Sequence, residues 1–153
     1  MNTTLNGYII ERTIQLFKNL FQMDIQAETP SLISPESAGS WEISGIISVT
    51  GTLNGLVSMR YKKELADIML KNALIYNMDS EFQYNILADM IGEVTNIIAG
   101  NVLTDDGIEE LLLSIPITIH GEDHEISWPR DTRITAIPFR SGEHSFVIQT
   151  GLK

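Results

Sequence analysis

The stretch from Ala88 to Asn101, ADMIGEVTNIIAGN, sets a carboxylate and a carboxamide, Glu93 and Asn96, one helical turn apart, with Gly92 and Gly100 beside them. Residues three and four apart share a helix face. Asn85, Asp89, Glu93, Asn96 and Gly100 then fall on one narrow polar stripe, and Ala88, Gly92 and Ala99 are expected along one side of it. A solvated face is ordinarily filled with Lys, Glu, Gln and Arg, which favour helix. Here Gly, Ala, Asn and Asp take those places, and a glycine inside a helix costs about 1 kcal/mol relative to Ala. Small residues let another backbone come close. The pattern predicts a docking track from which Asp89, Glu93 and Asn96 project.

The helix that carries this track must be held by its other side. Ile86, Leu87, Met90, Ile91, Val94, Ile97 and Ile98 fall opposite the stripe and read as core. Asn101 falls at the edge of that apolar face and is expected to be buried and hydrogen-bonded. The helix is expected to start at Ser80, with Gln83 three residues on as in a capping box, and to end near Leu103 before the polar turn TDDG. Upstream, Leu5 to Phe21 has helical spacing, and Glu28 to Ser40, rich in Pro and Ser, reads as a loop. Trp41 to Thr50 and Gly55 to Tyr61 read as a hairpin, with Gly45 marking a bulge or a close contact. Lys62 to Leu74 is a further helix, with YNMDSE as a linker after it. Downstream, Leu111 to Ile119 is a strand broken by Pro116, which demands an edge or a bulge. Arg133 to Phe139 and Ser145 to Gln149 form a last hairpin around Ser141 and Gly142. This order predicts an α+β fold with a largely antiparallel sheet and a long motif-bearing helix packed on it, not a doubly wound one.

Composition narrows the function classes. A chain of 153 residues with 43% apolar residues suits one domain, residues 1–153, with one core. Ten Lys and Arg against 20 Asp and Glu give a net charge of -10. That balance argues against nucleic acid and against anionic membrane surfaces, which need a basic patch. The absence of cysteine removes disulfides, zinc–thiolate sites and cysteine nucleophiles, and fits a reducing cytoplasm. Glu11, Arg12 and Lys18 interrupt the N-terminal apolar pattern, so neither a signal peptide nor a membrane span is expected there.

Other candidates for chemistry are weaker. His120 and His124 in HGEDHE are four apart, but they sit where a strand gives way to a turn, so a solvated turn is expected and no metal site. Ser114, Ser127 and Ser145 lack a hydrolase context, and no G-x-S-x-G, P-loop or G-x-G-x-x-G occurs. Trp41 and Trp128 read as core or interface residues.

The spacing E-x-x-N-x-x-x-G-N, from Glu93 to Asn101, resembles the signature of the CheX proteins, in the CheC/CheX/FliY group of bacterial chemotaxis phosphatases. Asp89 and Gly92 fit the family's lead-in, and LSIPITIHG, Leu113 to Gly121, resembles the strand after the motif helix. The resemblance covers about Trp41 to Lys153. CheC-type members carry the motif twice. Here the first helix has Glu11, but Ile14 stands three residues on and no Gly-Asn pair follows, so the chain resembles the single-motif CheX type.

The resemblance implies hydrolysis of the aspartyl phosphate on a CheY-like response regulator, by a homodimer with one site per protomer. Asn96 would hold a water in line with phosphorus, since an amide both donates and accepts without changing charge. Glu93 would repel a phosphoryl group, so it would instead pair with the regulator's active-site lysine. Asn85 and Asp89 would extend the docking contact, and Gly92 and Gly100 would permit close approach. The required Mg²⁺ would sit on the regulator's own acids, so no cofactor is expected on this chain. The rival reading is a non-catalytic module that binds a receiver domain through the same helix. A weaker third is a structural subunit that uses the stripe to oligomerise.

Overall fold

The computed structural model describes residues 2–73, 80–105, 107 and 110–153, excepting the side chains of residues 80–84. In chain order the elements are α1 (Thr3–Phe21), β1 (Gln26–Ala27), β2 (Ser31–Ile33), β3 (Ile43–Gly51), β4 (Gly55–Tyr61), α2 (Lys63–Asn72), α3 (Ser80–Asp105), β5 (Leu111–Leu113), β6 (Ile117–His120), β7 (Ile134–Ser141) and β8 (His144–Leu152). The strands form one sheet in the order β1-β7-β8-β4-β3-β5, with β2 also on β7 and β6 also on β3. Every pairing is antiparallel. This is the α+β architecture that the sequence predicts.

Two departures sit in segments read as loop or as continuous strand. β2 lies inside the expected Glu28–Ser40 loop and is laid on β7, Leu32 opposite Thr135. Pro116 splits the predicted Leu111–Ile119 strand into β5 and β6, both on β3. Proline has no N–H to give a ladder, so the strand lets go of β3 around it and rejoins beyond. The YNMDSE linker, apart from Ser80 and Glu81, and the Ser80–Gln83 capping side chains lie outside the described residues.

The helices cover one face of the sheet. α1 starts at Asn2, whose side-chain oxygen accepts the Leu5 N–H at 3.0 Å. It buries Leu5, Ile9, Phe17 and Phe21 and ends at Gln22, in the left-handed region at φ 52. Phe17 stacks on Phe146 of β8, ring centroids 4.8 Å apart, and Phe139 of β7 stacks on the same ring at 4.9 Å. Residues before Trp41 therefore belong to the core. Among the described residues, Asn85–Asp105 is the segment long and apolar enough to cross a membrane, but half of it is buried inside this fold.

Loops lie over part of the other face of the sheet, around Arg60. Arg60 is 1% exposed there. Its Nε donates to Ser44 Oγ at 3.0 Å, Nη2 to the His124 carbonyl at 2.9 Å, and Nη1 to Gln149 Oε1 at 3.4 Å. Burial lowers the pKa of this guanidinium.

Candidate functional site

α3 carries the motif, and its sequence dictates how it lies. Leu87, Ile91, Val94 and Ile98 are buried against the sheet and α1, while Ile86 and Met90 are half-buried at the margin. In the middle, Thr95 meets Gly45 of β3. A Cβ on Gly45 would lie 2.1 Å from Thr95 Oγ1 and 3.1 Å from the Ile91 carbonyl oxygen. Gly45 is thus the close contact, not a bulge, and its register on Met59 and Thr118 is unbroken. Thr95 Oγ1 donates back to the Ile91 carbonyl at 2.7 Å, so the buried hydroxyl is satisfied within the helix. A second tie is Thr118 of β6, whose Oγ1 donates to the Ala88 carbonyl at 2.8 Å.

With that side fixed, Asn85, Asp89 and Glu93 are exposed and Asn96 is half-buried. Glu93 and Asn96 rise about 4.5 Å along the helix from one to the other, on one face. Gly100 is half-buried, and a Cβ there would meet nothing within 4 Å. These five residues share one surface, as the periodicity requires.

The small residues divide between two roles. Gly92 is buried, and a Cβ on it would lie 3.4 Å from Thr118 Oγ1 and 3.6 Å from Pro116 Cβ. These are ordinary contact distances, so Gly92 faces Pro116 and Thr118 across the seat of α3 on β6 with room for a methyl group. Ala99, expected to border the stripe, is 2% exposed and packs beside Leu5, Ile9 and Val57. Asn101, expected to be buried, is exposed. The wall that would cover it, Gln15 and Asn19 of α1, stands across an open groove of about 330 Å³.

Sequence reasoning did not foresee that groove. It runs between α1 and α3, with Leu16, Leu20 and Ile97 among its lining residues. Leu20 is 41% exposed there. The available signal was its place between Phe17 and Phe21, which share the buried face one turn apart. Arg12 closes one end by a bidentate pair with Asp105, Nε to Oδ2 at 2.6 Å and Nη2 to Oδ1 at 2.7 Å. The hydrogen bond from Arg12 holds the Asp105 carboxyl below its usual range.

The HGEDHE turn is more than a solvated turn. His124 Nε2 lies 2.7 Å from Ser44 Oγ and Nδ1 lies 2.8 Å from the Gly121 carbonyl, which anchors the loop over Arg60. Burial, helped by His124 and Lys63, lowers the His120 pKa. Among the described residues, no group of three or more His, Asp and Glu side chains is placed to hold a metal. Trp41 donates its indole N–H to the Ala38 carbonyl at 2.9 Å, and a Cβ on Gly151 would meet the Trp128 ring at 2.9 Å. Both rings pack the loops onto the sheet.

A motif helix laid on an antiparallel sheet, with α1 beside it, is the fold of the CheC-like proteins. The whole chain superposes on a CheC-like superfamily protein from Shewanella sp. PV-4, TM-score 0.84 at 23% identity, covering 99% of that chain. CheX from Desulfovibrio desulfuricans matches over 97% of this chain and 99% of its own, TM-score 0.82 at 23% identity. A chain of the CheX–CheY–BeF3–Mg²⁺ complex from Borrelia burgdorferi matches over 97% of both chains, TM-score 0.81 at 20% identity. Residues 43–140 match the family model of the chemotaxis phosphatase CheX, and the chain belongs to that family. No curated protein matches it significantly.

Proposed function

We propose that this protein hydrolyses the aspartyl phosphate of a CheY-type response regulator. The observation that carries the reading is Asn96, half-buried, on the same face as an exposed Glu93 of a helix whose other side is fixed by Gly45–Thr95 contact. An acyl phosphate is already reactive, so placing a water in line with phosphorus supplies most of what is needed. The water oxygen forms the new bond to phosphorus as the bond to the aspartyl oxygen breaks. The aspartate leaves as a carboxylate, and the products are inorganic phosphate and the free regulator.

Asn96 holds that water. Glu93 pairs with the regulator's active-site lysine and sets the register, and Asn85, Asp89 and Gly100 extend the contact. Gly92 lies at the seat of α3 on β6. The Mg²⁺ sits on the regulator's acids. That a family member has been seen with CheY, BeF3 and Mg²⁺ supports this choice of partner. The protein works in the cytoplasm as a single unit, residues 1–153, and as a homodimer. The dimer reading draws on Leu112, Ile115 and Ile117, which are 75%, 84% and 60% exposed along β5, β6 and the link between them. These strands border β3 at an edge of the sheet, and an exposed apolar edge is a pairing surface.

The test is phosphate loss from CheY-type receivers of the same organism, charged with acetyl phosphate and Mg²⁺. Wild type should accelerate it for at least one receiver. Asn96→Ala should lose about 10²–10³ of that rate, as removal of a preorganised polar group does elsewhere. Binding with no acceleration by wild type would favour the non-catalytic receiver-binding module.

A further inference from the structure

The groove between α1 and α3 adjoins the motif residues. Ile97, on its α3 side, stands four residues after Glu93, and residues four apart are neighbours on a helix face. A partner docked on Glu93 with its phosphoryl group at Asn96 therefore lies beside the groove as well. We propose that the groove is a second docking subsite, which takes an apolar side chain of that same receiver domain; this rests on the phosphatase reading above.

Its chemistry selects the occupant. Leu16 and Ile97, both half-buried, and the exposed Leu20 give it apolar walls. Gln15, Asn19 and Asn101 are exposed and line it with amides. On a chain of net charge -10, this surface, whose one lining charge is paired, stands beside an acidic stripe. The guanidinium at its end is committed to Asp105 through two hydrogen bonds, so among the described lining residues no uncommitted cation remains to draw in an anionic ligand. An aliphatic or aromatic side chain suits the walls. The amides, each both donor and acceptor, suit the backbone that carries it. Glu93 then fixes the receiver by charge and the groove fixes it by shape, with Asn96 between them.

The experiment uses the receiver whose phosphate loss wild type accelerates most, charged with acetyl phosphate and Mg²⁺. Leu20→Glu and Asn19→Lys alter the groove at exposed positions, and Leu20→Met is the conservative control. All three are checked by thermal melting and sedimentation. The expected result is a KM raised about 10- to 100-fold for Leu20→Glu, raised for Asn19→Lys, and near wild type for Leu20→Met, with kcat unchanged throughout. An active wild type with KM unmoved by Leu20→Glu and Asn19→Lys overturns the subsite and leaves the phosphatase reading standing. A change in sedimenting mass with Leu20→Glu also overturns it, since the groove would then hold a second copy. No acceleration of any receiver by wild type removes the phosphatase reading, and the subsite with it.

Discussion

At the scale of single residues, Glu93 and Asn96 differ in kind, and that difference is measurable. Asn96 is neutral and half-buried, so the surrounding helix limits its orientation, whereas Glu93 is an exposed charge. A charge used for docking shows itself in encounter and in salt dependence. Glu93→Gln keeps the shape and removes the charge. It should raise KM about tenfold, equivalent to about 1.4 kcal/mol, flatten the dependence of KM on salt, and leave kcat near wild type. Asn96→Ala should do the reverse, lowering kcat with KM little changed. Steady-state rates at two ionic strengths separate the cases. A fall in kcat for Glu93→Gln as large as that for Asn96→Ala would put the carboxylate in the chemistry and take it out of docking.

At the scale of elements, the site depends on how closely α3 approaches β3. Gly45 sets that distance, because any Cβ there would strike Thr95 Oγ1 and crowd the Ile91 carbonyl. Gly45→Ala gains roughly 0.5–1 kcal/mol of backbone preference but meets a clash whose relief typically costs about 1–3 kcal/mol. The clash wins, and the melting temperature should fall. Adding Thr95→Ala removes the nearer obstacle but not the carbonyl, so it should restore part of the loss. A Gly45→Ala protein as stable as wild type would show that something else fixes the helix. The sequence foretold this contact only as one of two options, because a glycine in a strand marks a bulge or a close neighbour alike. Elements with a strict period were read well: Gly55–Tyr61 is β4 residue for residue, and α3 runs only two residues beyond its expected end. What depends on neighbours was not. β2 lies in a Pro- and Ser-rich segment and is a strand because β7 is beside it. Gly92 and Ala99 have the composition of a docking track but face Pro116 and Leu5. Asn101 sits at the edge of the apolar face, but α1 does not close over it. Helical angle alone says which residues share a face, not what stands opposite that face.

At the scale of the whole molecule, the edge of the sheet formed by β5 and β6 carries exposed apolar side chains. Leu111 and Leu113 of β5 turn toward the core, so Leu112 between them points to the other face, where it is 75% exposed. Thr118 of β6 turns toward α3, so Ile117 before it also points away, at 60% exposure. Side chains alternate between faces along a strand, and here that alternation aligns Leu112 and Ile117 on the face opposite the motif helix. A second copy pairing at this edge buries them and leaves Glu93 and Asn96 open on the other face. Self-pairing of one surface gives a two-fold dimer, and the edge, not the polar stripe, is then the oligomeric contact. Wild type at micromolar concentration should sediment at twice the chain mass of 17.1 kDa. The double variant Leu112→Glu, Ile117→Glu sets like charges against each other across that two-fold. It should sediment as a monomer, while its melting transition persists because neither residue contributes to the core. If dimerisation does not build the site, the monomer should also keep receiver binding by Glu93. A wild type that is monomeric, or a double variant that keeps the dimer mass, would move the contact elsewhere, and a mass that falls with Asp89→Lys would point to the stripe itself.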